Sequence, residues 1–114
     1  MFQTALQPGE LVTSVRIPAA PGSAYVKHRH PASGYAVVGV AAVVRGAGAR
    51  VAVGGATATP IVVDVDGPGD EAAARVAGAI RDPLGDVYAS GEYRSHLATV
   101  LARRALATAF ERAG

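Results

Sequence analysis

Hydrophobic and polar positions alternate along the first half of the chain, as they do in β-strands. Residues 11–17 mostly alternate between apolar and polar, which predicts a half-buried strand that Pro18 stops. A second strand is predicted over residues 23–29, before the turn-forming residues 30–34. Residues 35–44 are almost wholly apolar and rich in valine, which predicts a strand that is buried on both faces or lies centrally in a sheet.

Two shorter strands and a first helix follow in the predicted order. Residues 49–53 and 59–65 predict the remaining strands, the second at a sheet edge, and the spacing favours an antiparallel meander. After the breaker at residues 67–69, Asp70 is the predicted N-cap of a helix over residues 72–80. The order of these elements therefore places the sheet before the helices.

A long helix is predicted over residues 92–112, with Ser90 as its N-cap. Its predicted core-facing stripe has spacings of three and four and consists of Tyr93, Leu97, Val100 and Leu101. A second apolar face near the end of the helix consists of Leu106, Ala109, Phe110 and Ala113. This second face is explained either by fuller burial of the helix end or by contact with a partner.

Strands followed by helices predict a single α+β domain over residues 1–114, with a mainly antiparallel sheet of three to four strands and helices packed on one face. The length of 114 residues suits one domain. Half of the residues are hydrophobic, mostly alanine and valine, with two phenylalanines, four tyrosines and no tryptophan. The predicted core is therefore built from small residues and tightly packed.

Charge and cysteine content exclude several classes of function. The net charge is only +2, and the arginines are scattered among acids, which argues against nucleic-acid binding. The chain has no cysteine, which excludes disulfides, iron–sulfur ligation and thiolate zinc sites within it. The first residues lack a signal-peptide pattern and no apolar run is long enough for a membrane span, so a cytoplasmic domain is predicted.

Side chains that could carry chemistry are few and scattered. His28 and His30 would point the same way in a strand and could share a metal, but exposed loop histidines are favoured because no third ligand is nearby. No acidic residue lies three or four positions after His96 to complete a zinc motif. Gly54 and Gly55 fit a turn better than a phosphate-binding loop, since the rest of a nucleotide-binding pattern is missing. The sequence therefore predicts no catalytic residue and no metal site.

Four blocks of the sequence, in the same order, resemble one protein family. They are residues 4–18 (TALQPGELVTSVRIP), 25–42 (YVKHRHPASGYAVVGVAA), 53–60 (VGGATATP) and 92–106 (EYRSHLATVLARRAL). Together they resemble the C-terminal domain of the FAD-binding medium subunit of carbon monoxide dehydrogenase and xanthine dehydrogenase type molybdenum hydroxylases. The resemblance extends over nearly the whole chain.

The resemblance implies a part in electron transfer and no self-contained active site. In that family the medium subunit carries FAD and passes electrons between the iron–sulfur clusters of one partner and an external acceptor, while a large subunit holds the molybdenum cofactor. The segments that grip the FAD pyrophosphate belong to the domain upstream of this one. The expected partners are therefore an FAD-binding domain, an iron–sulfur subunit and a molybdenum subunit, and FAD binding by this chain alone is expected to be weak or absent.

Two residues are expected to lie beside the flavin by this resemblance. Tyr35 occupies the position of a large group that shields the isoalloxazine ring, where an aromatic side chain can stack. Lys27 matches a basic position near the flavin edge, where a cation would stabilise a reduced anionic flavin. The alternatives are a Tyr35 packed under a loop and a Lys27 that is merely solvated. For the whole chain, the alternative function is a stand-alone interaction domain that forms homo-oligomers without flavin.

Overall fold

Four antiparallel strands and two helices form the fold of residues 3–114, the part of the chain that the computed structural model describes. The elements are β1 (Ser23–Arg29), β2 (Ala36–Arg45), β3 (Gly48–Gly54), β4 (Ile61–Val65), α1 (Asp70–Gly78) and α2 (Gly91–Ala113). The strand order is β1-β2-β3-β4, and all neighbouring strands are antiparallel. The predicted α+β meander is confirmed, and the valine-rich β2 lies inside the sheet between β1 and β3.

Both helices pack on one face of the sheet, because alternate residues of the strands present apolar side chains there. Val38 and Val40 of β2 and Val51 of β3 are fully buried. They belong to one hydrophobic cluster with Leu101 and Leu106 of α2. Apart from such leucines the cluster is made of alanine and valine, as the composition predicts.

The opposite face of the sheet, called here the outer face, carries small and polar side chains together with Tyr25, Val43 and Val62. Tyr25 lies across Gly39 on this face, since a Cβ atom at Gly39 would collide with the Tyr25 hydroxyl. Arg50 of β3 and Asp64 of β4 form an ion pair between neighbouring strands, with 2.9 Å between Nε and Oδ1. No helix or strand of the described residues covers the outer face.

The two predicted helix caps have different outcomes. Ser90 caps α2 as predicted, and its Oγ accepts a hydrogen bond from the Tyr93 backbone N–H at 3.1 Å. The predicted Asp70 cap is wrong, because Gly69 precedes α1 and no side chain caps it. The φ angle of Gly69, 106°, is one that glycine adopts readily, so the chain turns into the helix one residue earlier. Asp70 is the first helical residue and pairs with Arg103 of α2.

The apolar faces of α2 are both used within the domain. Leu106 and Ala109 are fully buried, and Phe110 is partly buried against the same core. The explanation of the second face by fuller burial of the helix end is therefore confirmed. Within the predicted stripe Leu97 and Leu101 are buried, but Tyr93 is 44% exposed, so the stripe is wrong at that position. Within residues 3–114, neither helix has the length and apolarity to cross a membrane.

The prediction of a strand over residues 11–17 is wrong, since that segment has no regular structure. Its side chains are exposed, and no strand of the described sheet lies beside it. A segment with this alternating pattern forms a strand only when a neighbouring strand supplies backbone hydrogen bonds. Here that neighbour is missing among the described residues.

Candidate functional site at the rim of the sheet

Three irregular segments meet at one end of the sheet and form a rim, defined here as residues 30–35, 55–60 and 83–90. The Leu84 backbone N–H donates to the Ala56 carbonyl at 2.8 Å, which joins the second and third segments. The rings of His30 and Tyr88 contact edge to face with centroids 4.7 Å apart, which joins the first and third. The rim therefore has a defined geometry although it contains no helix or strand.

Arg94 of α2 holds the rim against the sheet. This side chain is buried, and its Nη1 donates to the carbonyls of Val37 and Gly55, each at 2.8 Å. Its Nη2 donates to Oδ2 of Asp86 at 2.9 Å. One guanidinium thus links β2, the end of β3 and the segment between the helices with charge-assisted hydrogen bonds, which are stronger than neutral ones.

Sequence reasoning missed the role of Arg94, although a signal was present. Arg94 precedes Leu97, Ala98 and Leu101 by three, four and seven residues, which places it on the buried face of the helix. An arginine on a buried face needs acceptors, because an unpaired buried charge is strongly destabilising. The acceptors come from distant parts of the chain, so the pattern along α2 alone could not identify them.

Asp86 shapes the third rim segment. Its Oδ1 accepts from the backbone N–H groups of Tyr88 and Ala89, at 2.9 and 3.1 Å. The pKa of Asp86 is lowered from its usual value of 3.8, chiefly by the Tyr88 N–H and then by the Arg94 guanidinium. The charged carboxylate is therefore the form that the folded rim prefers.

The lowered pKa of Asp86 predicts a loss of stability in acid. Because the pKa is lower in the folded state, the stabilisation is present above the ordinary carboxyl pKa of 3.8 and is lost as pH falls through the lowered value. Asp86→Asn is expected to lower the melting temperature at pH 7 and to flatten its fall below pH 3.8. Circular dichroism melts between acid and neutral pH measure both effects. Asp66→Asn, which changes an exposed carboxylate, is the control; an Asp86→Asn profile parallel to wild type would contradict the prediction.

The structure brings Lys27 and Tyr35 to the same part of the rim. Tyr35 directly precedes β2 and is 79% exposed, so it is not packed under a loop. Its carbonyl accepts from the His30 N–H at 2.7 Å, which closes the first rim segment. The Lys27 Nζ donates to the Gly34 carbonyl at 3.2 Å, so the ammonium lies beside the backbone that carries the tyrosine.

The two neighbouring histidines have separate partners. A bulge between His28 and Arg29 disturbs the register, and β1 ends at Arg29, so the two imidazoles do not lie on one regular strand. The His28 ring contacts Tyr93, whereas Nδ1 of His30 accepts from backbone N–H groups within the first rim segment. Residues 3–114 contain no group of three or more histidine, cysteine or acidic residues that could hold a metal ion.

A shallow depression of about 470 Å³ lies between the first and third rim segments. The residues that line it include His30, Ser33, Tyr35, Val37, Tyr88 and Arg94. Tyr35 and Tyr88 are both largely exposed and supply aromatic surface. This aromatic surface is suited to contact with a planar or apolar group.

Comparison with known proteins gives a consistent result over nearly the whole chain, although no family model matches. The carbon monoxide dehydrogenase medium chain of Afipia carboxidovorans is 33% identical over 98% of this chain. The crystal structure of the cyanide-inactivated Cu,Mo-CO dehydrogenase matches 97% of this chain with a TM-score of 0.80 and 30% identity. A quinoline 2-oxidoreductase from Pseudomonas putida 86 matches at a TM-score of 0.67 and 23% identity, which supports the fold alone.

The match covers only part of each relative. The chain spans 45% of the Afipia medium chain and 45% of the matched CO dehydrogenase chain. The shared part has the same α+β architecture in both. The chain is therefore homologous to a portion of the carbon monoxide dehydrogenase medium chain and has the fold of that portion.

Proposed function

We propose that this chain is an accessory domain of the FAD-containing electron-transfer subunit of a molybdenum hydroxylase. The observation that carries the proposal is the 33% identity to a CO dehydrogenase medium chain over 98% of this chain. An electron-transfer subunit also agrees with the aromatic surface that Tyr35 and Tyr88 supply at the rim. The proposed setting is a cytoplasmic complex with an iron–sulfur subunit and a molybdenum subunit.

The proposed role of the rim is to form a wall beside the flavin. The exposed ring of Tyr35 supplies a flat apolar surface, and an aromatic contact of this kind contributes about 0.5–1.5 kcal/mol beyond its buried area. Hydrogen bonds at Ser33 and His30 fix the backbone of Tyr35, so the ring projects from an ordered segment. A preorganised surface loses less conformational entropy when a ligand binds.

Lys27 is proposed to set the electrostatics beside the same wall. Its ammonium is bonded to one neutral carbonyl, Gly34 O, and Lys27 has no acidic partner among the described residues. Two further N–H donors of the ammonium are therefore available to a carbonyl or anionic edge. When bound, FAD would supply the redox chemistry, and the described residues would supply stacking, charge and exclusion of water. In this proposal a second domain holds the pyrophosphate of the cofactor.

Tyr35→Ala tests the proposed wall. In a complex of this chain with an FAD-binding domain of a homologous medium chain, the variant is expected to weaken FAD affinity about two- to tenfold, because the ring contact is lost. Fluorescence titration with FAD measures the affinity. Tyr35→Phe retains the ring and should bind FAD as wild type does, which separates stacking from the hydroxyl. A flavin affinity that is unchanged in Tyr35→Ala would contradict the proposal.

A further inference from the structure

His30 closes the loop of the first rim segment, the one that carries Tyr35. Its backbone N–H donates to the Tyr35 carbonyl at 2.7 Å, and its carbonyl accepts from the Gly34 N–H at 2.9 Å. Both bonds join the start of the loop to its end, directly ahead of β2. The position of Tyr35 relative to the sheet is therefore set in part by His30.

The imidazole of His30 adds a second set of bonds inside this loop. Its Nδ1 accepts from the backbone N–H groups of Ala32 and Ser33, at 3.2 and 3.3 Å. Ser33 Oγ in turn accepts from the Tyr35 N–H at 3.3 Å. A ring nitrogen accepts a hydrogen bond only while it has a free lone pair, and an imidazolium has an N–H at both ring nitrogens. These bonds therefore require a neutral imidazole with its proton on Nε2.

The same ring also contacts the third rim segment. His30 and Tyr88 pack edge to face, with an angle of 85° between the rings and 4.7 Å between their centroids. The backbone N–H of Tyr88 donates to Asp86, which Arg94 of α2 also binds. Tyr88 is thus held by groups outside the loop and gives the imidazole a fixed neighbour. A rotation of the imidazole would lose this contact together with the two bonds to Nδ1.

The groups around the loop provide no counter-ion for a protonated His30. Three cations of β1 and α2 lie close to the loop, namely Lys27, Arg29 and Arg94. Asp86, the carboxylate of the rim, is bound by Arg94, and no carboxylate pairs with His30 within residues 3–114. The other titratable groups that line the depression beside His30 are two tyrosines, Tyr35 and Tyr88. Protonation of His30 would therefore add a fourth positive charge to this part of the rim.

We infer that His30 is a positioning residue of the flavin wall, whose neutral imidazole holds the loop of Tyr35 in place and whose protonation releases that loop. The inference rests on the proposed function, because that function makes Tyr35 the wall. When Nδ1 takes a proton from water, its new N–H faces the Ala32 and Ser33 donors, and the two bonds break. A released loop must be ordered again when FAD binds, so the contact with the flavin is weaker in acid.

Amide chemical shifts of the chain alone test the control of the loop by His30. Between about pH 5 and 8, where histidines change charge, the Ala32 and Ser33 amide resonances are expected to move with the same midpoint as the His30 ring protons. The Tyr35 amide should follow, since it donates to Ser33 Oγ. In His30→Asn the three resonances should stay in place, because an asparagine oxygen accepts the same N–H bonds and does not titrate. Amides that ignore the titration of His30 in wild type would overturn the inference.

The pH dependence of FAD affinity tests the consequence for the wall. In a complex with an FAD-binding domain of a homologous medium chain, wild type is expected to bind FAD about two- to tenfold more weakly at about pH 5 than at about pH 8, as for loss of the Tyr35 contact. His30→Asn should retain most of the affinity at both pH values, whereas His30→Ala should bind FAD weakly at both. His96→Asn removes an exposed histidine of α2 and should retain the wild-type profile. Any pH dependence of the added domain is common to all four proteins, so it cancels when their profiles are compared.

The outcomes distinguish this inference from the proposed function. Parallel pH profiles of wild type and His30→Asn, with FAD binding still weakened by Tyr35→Ala, overturn the role of His30 and leave the flavin wall intact. Amides that follow the His30 titration, together with an FAD affinity that ignores Tyr35→Ala, support the control of the loop by His30 and overturn the wall.

Discussion

Replacing Arg94 with methionine is expected to lower the free energy of unfolding by about 3 kcal/mol. The guanidinium donates to the Val37 and Gly55 carbonyls and to Asp86, and methionine has no donor for any of them. The two carbonyls would be left without this partner at a partly buried site. The Asp86 side chain is 48% exposed and can regain water, which keeps the loss below that of a fully buried ion pair.

Urea denaturation followed by circular dichroism measures the effect of Arg94→Met. Arg104→Met is the matched control, since Arg104 is an exposed arginine of the same helix, and its effect should stay within about 0.5 kcal/mol. Arg94→Lys retains the charge but cannot span three acceptors, so an intermediate loss is expected. Equal stability of Arg94→Met and Arg104→Met would show that the rim does not depend on the guanidinium.

Leu106→Ala is expected to destabilise the fold by about 4 kcal/mol, in the upper part of the range for buried leucines. Leu106 is fully buried, and it is the largest of the fully buried side chains of the described core. Its cluster is dominated by alanine and valine, whose short side chains cannot reorient into the space that the leucine leaves. The cavity therefore stays open, and its cost adds to the lost burial of apolar area.

Thermal and urea unfolding of Leu106→Ala are compared with Leu11→Ala. Leu11 is 86% exposed, so the same chemical change there should leave the unfolding midpoint of the isolated chain almost unchanged. The pair distinguishes loss of packing from loss of a leucine as such. A small effect of Leu106→Ala would mean that α2 shifts to close the cavity.

The sequence predicted the meander well because its signals are local. Glycine-rich turns separate β2, β3 and β4, and the valine runs match the buried strands. Ser90 was identifiable for the same reason, since an N-cap contacts an N–H only three residues away. Asp70 was misassigned because Gly69, one residue earlier, adopts a backbone conformation that ends the loop without any side-chain bond.

The candidate site was less predictable because its contacts are distant in sequence. Tyr35 and Lys27 were singled out by resemblance alone. The structure brings them close together through the hydrogen bond from Lys27 Nζ to the carbonyl of Gly34, the residue before Tyr35. Arg94 bonds to carbonyls 39 and 57 residues away, which no pattern along one helix reveals. Residues 11–17 show the reverse case, because their strand pattern is clear but no strand of the described residues pairs with them.

The order of the elements has a consequence for synthesis of the chain on the ribosome. All four strands are complete before translation of α2 begins, yet α2 provides most of the helical cover for β1 and β2. Strand pairing within a meander joins neighbouring segments and forms early, whereas the cover arrives from the far end of the chain. During translation the valine-rich face of the nascent sheet is therefore expected to stay exposed to water until α2 is complete, and an exposed apolar face of this kind is prone to aggregation.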